Sequence, residues 1–212
     1  MRALTSKSMS EPVIVRNTDT SVTGISKVQS PSVIYEKRLS DDDIQRIFTQ
    51  QKPLRLRHIE YRGLLEFSVK IKSDSNRVKL KIIQTLEGNE KSFAKFFEEK
   101  EDKVLQLQDI QANPLKCGLG TLLLHVASYY AVHIEKYPTF EVRKAVSRAF
   151  GFYQMLGFKG DYSVSPTYLQ ITSKALLENT RHICQKFHAI TDEYPLCPQA
   201  TMTSWKSLPV LP

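Results

Sequence analysis

Residues 105–120 read LQLQDIQANPLKCGLG, and this stretch decides the fold. Residues 104–112 form a predicted strand that ends at Asn113–Pro114. The chain then turns through Leu115, Lys116 and Cys117 and enters a helix at Gly118-Leu119-Gly120. The first turn of a helix leaves backbone N–H groups unpaired, and the dipole makes that end positive. Glycines let a phosphate come close to the backbone with no Cβ in the way. Lys116 adds a cation beside them. The unit therefore reads as a cradle for a pyrophosphate. Many helices start with glycine for steric reasons alone, so a second signal is needed to decide.

Downstream, residues 118–133 form a predicted helix with Leu119, Leu122, Leu123 and Val126 as its core stripe. A short strand is expected over 140–143. A second helix over 144–156 is stopped by Gly157 at the C′ position. Residues 168–172 form a late strand. Ser173 then caps a further helix whose stripe is Leu176, Leu177, Ile183, Cys184 and Phe187.

Upstream, Leu65, Phe67, Val69 and Ile71 alternate with Glu66, Ser68, Lys70 and Lys72. After the turn residues Ser73, Asp74, Ser75 and Asn76, Val78, Leu80 and Ile82 alternate with Lys79 and Lys81. This pattern predicts an antiparallel hairpin with one buried and one basic face. Ser40 followed by Asp41, Asp42 and Asp43, with Ile44, Ile47 and Phe48, marks a capped helix start. That helix should end before Pro53. Phe93, Phe96 and Phe97 sit at helical spacing in the charged segment 87–103, which predicts a short amphipathic helix. The order helix, hairpin, strand, helix, strand, helix, strand gives a mixed α/β domain.

Residues 1–32 are rich in Ser and Thr and lack a sustained period, so a disordered tail is expected there. A Ser-rich leader of this kind also resembles the secretion segments of bacterial type III effectors. Residues 191–212 contain several prolines and read as an irregular tail, leaving 33–190 as the domain. No stretch approaches the roughly 20 apolar residues of a membrane span. The cysteines Cys117, Cys184 and Cys197 are odd in number and lack C-x-x-C spacing. That argues against a disulfide scaffold or a zinc knuckle, and for a reducing, cytoplasmic setting. The net charge of +8 favours an anionic partner without choosing among nucleic acid, lipid and a polyphosphate ligand.

The second signal is Ala149-x-x-Phe152-Tyr153-x-x-Leu156-Gly157-Phe158. Together with the strand–Gly-x-Gly–helix unit, it resembles the GNAT superfamily of acyl-CoA N-acyltransferases. Motif A of that family is strand, Gln/Arg-x-x-Gly-x-Gly/Ala, helix. Motif B ends F-Y-x-x-x-G-F. The resemblance covers residues 33–172. It implies a GNAT-like mixed α+β fold: a central mixed sheet splayed at the motif A strand, helices on both faces, and an added C-terminal helix. It also implies acetyl-CoA as co-substrate, no metal, and a primary amine on a protein or small molecule as acceptor. Nucleic acid would enter only as an aminoacyl-tRNA.

By the same resemblance the amides of Lys116, Cys117, Gly118, Leu119, Gly120 and Thr121 hold the pyrophosphate. The strand end Asp109, Ile110, Gln111 and Ala112 pairs with the pantetheine arm. Tyr153 sits where the family keeps the acid that protonates the departing thiolate. Its other reading is a core aromatic, since Val146, Ala149 and Phe150 share its face. Asp109 is the carboxylate on the motif A strand and the first candidate base, with Glu141 on the next strand as the second. Either also reads as a solvated strand-end acid. Two positions depart from the family pattern: Leu115 stands at the Gln/Arg position and Val146 at a motif B asparagine. A GNAT-shaped binding module without catalysis is therefore the alternative to the enzyme.

Overall fold

The computed structural model describes residues 35–60, 64–72, 76–84, 91–113 and 115–191. The tail expected over 1–32 lies outside them, as does the tail at 191–212 apart from Thr191. Among the described residues there are ten strands: β1 (Tyr35–Arg38), β2 (Leu54–His58), β3 (Leu64–Lys72), β4 (Arg77–Gln84), β5 (Lys91–Glu99), β6 (Val104–Gln111), β7 (Thr139–Ala145), β8 (Lys159–Gly160), β9 (Thr167–Thr172) and β10 (Phe187–Thr191). The helices are α1 (Asp41–Gln50), α2 (Leu119–Tyr129), α3 (Phe150–Met155) and α4 (Ser173–Thr180). The strands form one sheet in the order β1-β10-β2-β3-β4-β5-β6-β7-β9-β8. The ladders from β10 through β6 are antiparallel, β6 and β7 run parallel, and β7–β9–β8 is antiparallel again.

Local chemistry explains the elements that the sequence predicts well. Ser40 and Asp43 make a reciprocal capping box at the start of α1, with Ser40 Oγ to Asp43 Oδ2 at 2.6 Å. Lys37 neutralises the buried Asp43 at 2.8 Å. The expected hairpin is β3–β4, paired in unbroken register from Leu65↔Gln84 to Lys72↔Arg77.

Several expectations need correcting. The segment expected as an amphipathic helix over 87–103 contains strand β5. Ser92, Ala94, Phe96 and Glu98 are its buried face, while Phe93 and Phe97 point the other way. Two of those four inward residues are polar, so the period of two was hidden. Ser92 bonds the Asn113 backbone, and Glu98 accepts from the Tyr130 hydroxyl at 2.6 Å. The last expected helix ends at Thr180 and passes through a tight turn, Arg181–Lys186, into strand β10, so Phe187 belongs to the sheet. Its cap is Thr172, whose hydroxyl accepts from the Ala175 N–H at 3.2 Å. The helix expected over 144–156 is shorter because β7 runs on to Ala145. Helix α2 widens into a π turn over Tyr130–Ile134.

Helices α1, α2 and α4 lie together on the sheet face that carries Phe67, Leu80, Phe96 and Phe140. The opposite face carries Lys70, Lys79 and Lys95, all exposed.

Candidate active site

The parallel ladder of β6 and β7 is short. It runs from Val104↔Thr139 to Leu107↔Val142 and stops. Both strands bulge at that point. On β6, Lys95 of β5 faces Asp109 while Phe96 faces Leu107, so Gln108 is an extra residue. On β7, Val142 faces Leu169 of β9 but Ala145 faces Thr167, which leaves one residue extra. A bulge bends its strand and ends local pairing. Two bulges at one level, each toward a different neighbour, open a gap between the strands.

The gap is a cleft of about 590 Å³, lined by Gln106, Asp109, Ile110, Val142, Arg143 and Tyr153 among others. Residues of both sheet faces line it. Beyond Leu107 the β6 backbone has no β7 partner. Its free edge can pair with an extended amide-bearing ligand.

Tyr153 is held by the end of α3. The Phe158 N–H donates to Tyr153 O at 3.1 Å and the Gly157 N–H to Gln154 O at 3.0 Å. This is a Schellman cap, with Gly157 in the left-handed region at φ 85°. The apolar contact that accompanies such a cap is the Tyr153–Phe158 ring pair, 5.3 Å between centroids. The sequence F-Y-x-x-L-G-F is thus a helix stop that fixes the tyrosine. Tyr153 is buried and lines the cleft, and its hydroxyl makes no hydrogen bond among the described residues. Burial, with a smaller effect of the Asp109 charge, raises its pKa to about 12. It is a proton donor at neutral pH.

The turn into α2 is anchored at both ends. Ser92 Oγ donates to Asn113 O at 2.9 Å and accepts from the Asn113 N–H at 2.8 Å. His58 Nε2 bonds Cys117 O at 3.0 Å, and its Nδ1 accepts from the Glu60 N–H at 3.1 Å. The pair of contacts fixes a neutral ring with the proton on Nε2, and burial lowers its pKa. Lys116 and Gly118 both lie in the left-handed region, at φ 65° and 79°. At Gly118 a Cβ would lie 2.5 Å from Ile183 Cδ1 on a left-handed backbone, so another residue would be strained there. Gly120 differs. A Cβ there would meet Phe152 and Ala112 at ordinary contact distances of 3.5 and 3.6 Å. The protein's own packing therefore does not demand this glycine. The first helical bond is Leu122 N–H to Gly118 O at 2.9 Å, so the amides of Leu119, Gly120 and Thr121 precede it.

The fold thus gathers Asp109, Ile110 and Tyr153 at one cleft, with Ala112 and Gly120 adjoining each other beyond it. Gln111 ends β6 and is exposed; Cys117, Leu119 and Thr121 are buried, and Lys116 is exposed. Glu141 is not brought to the cleft lining. It sits in the paired part of β7 opposite Gln106, accepting from Tyr168 at 2.6 Å and from Arg143 Nε at 3.4 Å. Asp109 is half exposed and pairs with Lys95 at 3.4 Å. His58, Ser92 and the β7 bulge were not found from sequence. His58 lies 59 residues before the carbonyl it holds, on a strand that the sequence reading did not anticipate. Among the described residues no group of three or more His, Cys, Asp or Glu could hold a metal.

Similar solved structures include GCN5 of Tetrahymena, at 15% identity and TM-score 0.36 over 46% of this chain and 68% of that one. A cAMP-binding acyltransferase of Mycobacterium smegmatis matches at 8% identity and TM-score 0.45, over 68% of this chain and 59% of that one. The spermidine/spermine N-acetyltransferase SpeG of Vibrio cholerae matches at 12% and 0.40, over 69% and 98%. No family model and no curated protein sequence matches the chain.

Proposed function

We propose that the protein is an N-acyltransferase that moves an acyl group, acetyl in the simplest case, from coenzyme A to a primary amine. The observation that carries this reading is Tyr153, its hydroxyl unbonded among the described residues, in the lining of the cleft between β6 and β7. The free β6 edge and the amide end of α2 supply what an acyl-CoA needs. Gln108–Gln111 backbone groups pair with its amide-bearing arm. The amides of Leu119, Gly120 and Thr121, with Lys116, receive its pyrophosphate.

In the reaction the amine nitrogen bonds the thioester carbonyl carbon and the carbon–sulfur bond breaks. Negative charge collects on sulfur, where the Tyr153 hydroxyl donates a hydrogen bond. A thiolate with a pKa of about 8.5 is a weaker base than a phenolate of this site, so donation to the developing charge is the main effect. To Asp109, which also lines the cleft, we assign the proton that the amine loses.

The test is thermal melting with acetyl-CoA, followed by turnover. A ligand that binds only the native state must raise the midpoint. Tyr153→Phe should keep the shift and lose turnover. A second reading, a binding module without catalysis, is favoured by Leu115, which is 76% exposed where the family places a polar contact. In that case Tyr153→Phe changes nothing and no amine is acylated.

A further inference from the structure

The loop that enters α2 lies at the surface, with Leu115 and Lys116 exposed. A backbone carbonyl in such a loop can face water freely. The Cys117 carbonyl is held by a buried side chain instead. It accepts from Nε2 of His58 at 3.0 Å, and His58 is only 2% exposed. One peptide of a surface loop is thus fixed by a ring 59 residues earlier in the chain.

The ring is itself held in place. Its Nδ1 accepts from the Glu60 N–H at 3.1 Å, so the ring proton sits on Nε2, the atom that meets the carbonyl. The ring packs against Phe187 at 4.9 Å between centroids and 87° between planes. Phe187 is also the partner of His58 in the β2–β10 ladder, and the Ile59 N–H donates to Lys186 O at 3.0 Å. Ile183 of the same C-terminal stretch stands over Gly118, where a Cβ would go. The donor is therefore in position before any ligand arrives.

A trans peptide is planar, with its C=O and N–H on opposite sides. The Cys117–Gly118 peptide is trans. Whatever holds the Cys117 carbonyl thus also decides where the Gly118 N–H points, which is away from His58. Glycine accepts either sign of φ, so residue 118 by itself leaves the peptide free to face either way. The two orientations are opposite in charge. One offers a ligand an N–H donor, and the other offers the partial negative charge of a carbonyl oxygen. Among the described residues the Gly118 N–H has no acceptor.

We propose that His58 is a positioning residue for the pyrophosphate seat. Its Nε2–H fixes the Cys117–Gly118 peptide so that the Gly118 N–H joins the amides of Leu119, Gly120 and Thr121 as a donor to the phosphates. This rests on the acyltransferase reading. It also gives the C-terminal stretch, through Ile183 and Phe187, a part in shaping the seat.

The test uses the full chain. The dipeptide Cys-Gly occurs once in the sequence, at 117–118. Labelling with carbon-13 at the cysteine carbonyl and nitrogen-15 in glycine therefore gives a single carbonyl-linked amide signal by NMR, from this peptide alone. Coenzyme A should move the Gly118 amide proton downfield as it gains a phosphate acceptor. Pantetheine, the same arm without a pyrophosphate, should leave it in place. Two variants complete the test. His58→Phe keeps a ring against Phe187 and loses the donor, whereas His58→Gln keeps an N–H donor near the place of Nε2. By calorimetry, at a temperature where each protein is folded, His58→Phe should bind coenzyme A about tenfold or more weakly, the loss of a hydrogen bond to a charged group. His58→Gln should stay within about threefold of wild type, well under the effect of losing that bond.

Coenzyme A bound to the wild type with the Gly118 signal unmoved overturns the proposal, whether or not the variants fold. So does a folded His58→Phe that binds coenzyme A as tightly as wild type. A loss in His58→Gln equal to that in His58→Phe overturns it as well, because the ring and not its donor would then matter. In each of these cases the acyltransferase reading stands. A wild-type protein that binds no coenzyme A overturns that reading and this proposal with it.

Discussion

The hairpin β3–β4 and the pair β6–β7 belong to the same sheet and behave in opposite ways. The hairpin keeps its register from Leu65↔Gln84 to Lys72↔Arg77 without a break. The parallel pair holds only from Val104↔Thr139 to Leu107↔Val142 before two bulges part it. The hairpin's ladder is continuous and its outer face bears charge. The parallel pair gives up ladder bonds and gains a cleft with a free strand edge. Regular pairing thus builds the surface, and interrupted pairing builds the site.

That contrast can be broken most sharply at the cleft. Tyr153→Phe should lower kcat on an amine acceptor by about 10²–10⁴-fold, with the acetyl-CoA melting shift retained. Stopped-flow or steady-state thiol release reads this. A kcat within threefold of wild type would return Tyr153 to the role of a core aromatic.

The next effect concerns the helix behind the split. His125 on α2 is fully buried, bonds Thr180 of α4 at 3.0 Å through Nδ1, and leaves Nε2 without a partner among the described residues. Burial lowers its pKa from 6.5 to about 4. As pH falls, the unfolded chain takes up this proton first. Stability should therefore decline from pH 6.5 through pH 4 and level off below, by at most about 3 kcal/mol from this group. Urea denaturation at a series of pH values measures it. His125→Gln should flatten that part of the curve, and an unchanged slope would show the ring is not the source.

Two glycines of the same turn separate folding from binding. Gly118→Ala forces a left-handed alanine against Ile183 and should cost about 2 kcal/mol in denaturant unfolding. Gly120→Ala meets only ordinary contacts and should leave stability within about 1 kcal/mol of wild type, or raise it. Yet it should reduce the acetyl-CoA melting shift, because a phosphate seated on the Leu119–Thr121 amides needs close approach to the backbone. If both variants keep the shift, the turn is not the pyrophosphate seat. The smallest effect belongs to the hairpin. Lys70→Glu replaces a like-charged pair with Lys79 by an opposite one and should stabilise the fold by about 0.2–1 kcal/mol.

Much of this was legible in advance where the cause is local. The cap at Ser40, the alternation of β3 and β4, the glycines entering α2 and the stop at Gly157 each depend on neighbours a few residues away. Strand β5 was misread because Ser92 and Glu98 sit on its buried face, and each is satisfied by a residue at least 20 positions distant. Strand β10 was misread because no Gly or Pro marks the end of α4. The chain leaves the helix to pair with β2.

By itself, then, the sequence determined the mixed α+β elements, the Gly118–Gly120 turn and the fixed place of Tyr153 on its helix stop. Only the tertiary structure decided that β6 and β7 part after Leu107 and Val142, that His58 pins the Cys117 carbonyl, and that Asp109 rather than Glu141 lines the gap. The physical reason is the range of the forces. Caps, turns and periodicity act within a few residues, whereas a bulge, a buried histidine's partner and the mouth of a cleft depend on strands far apart in the chain.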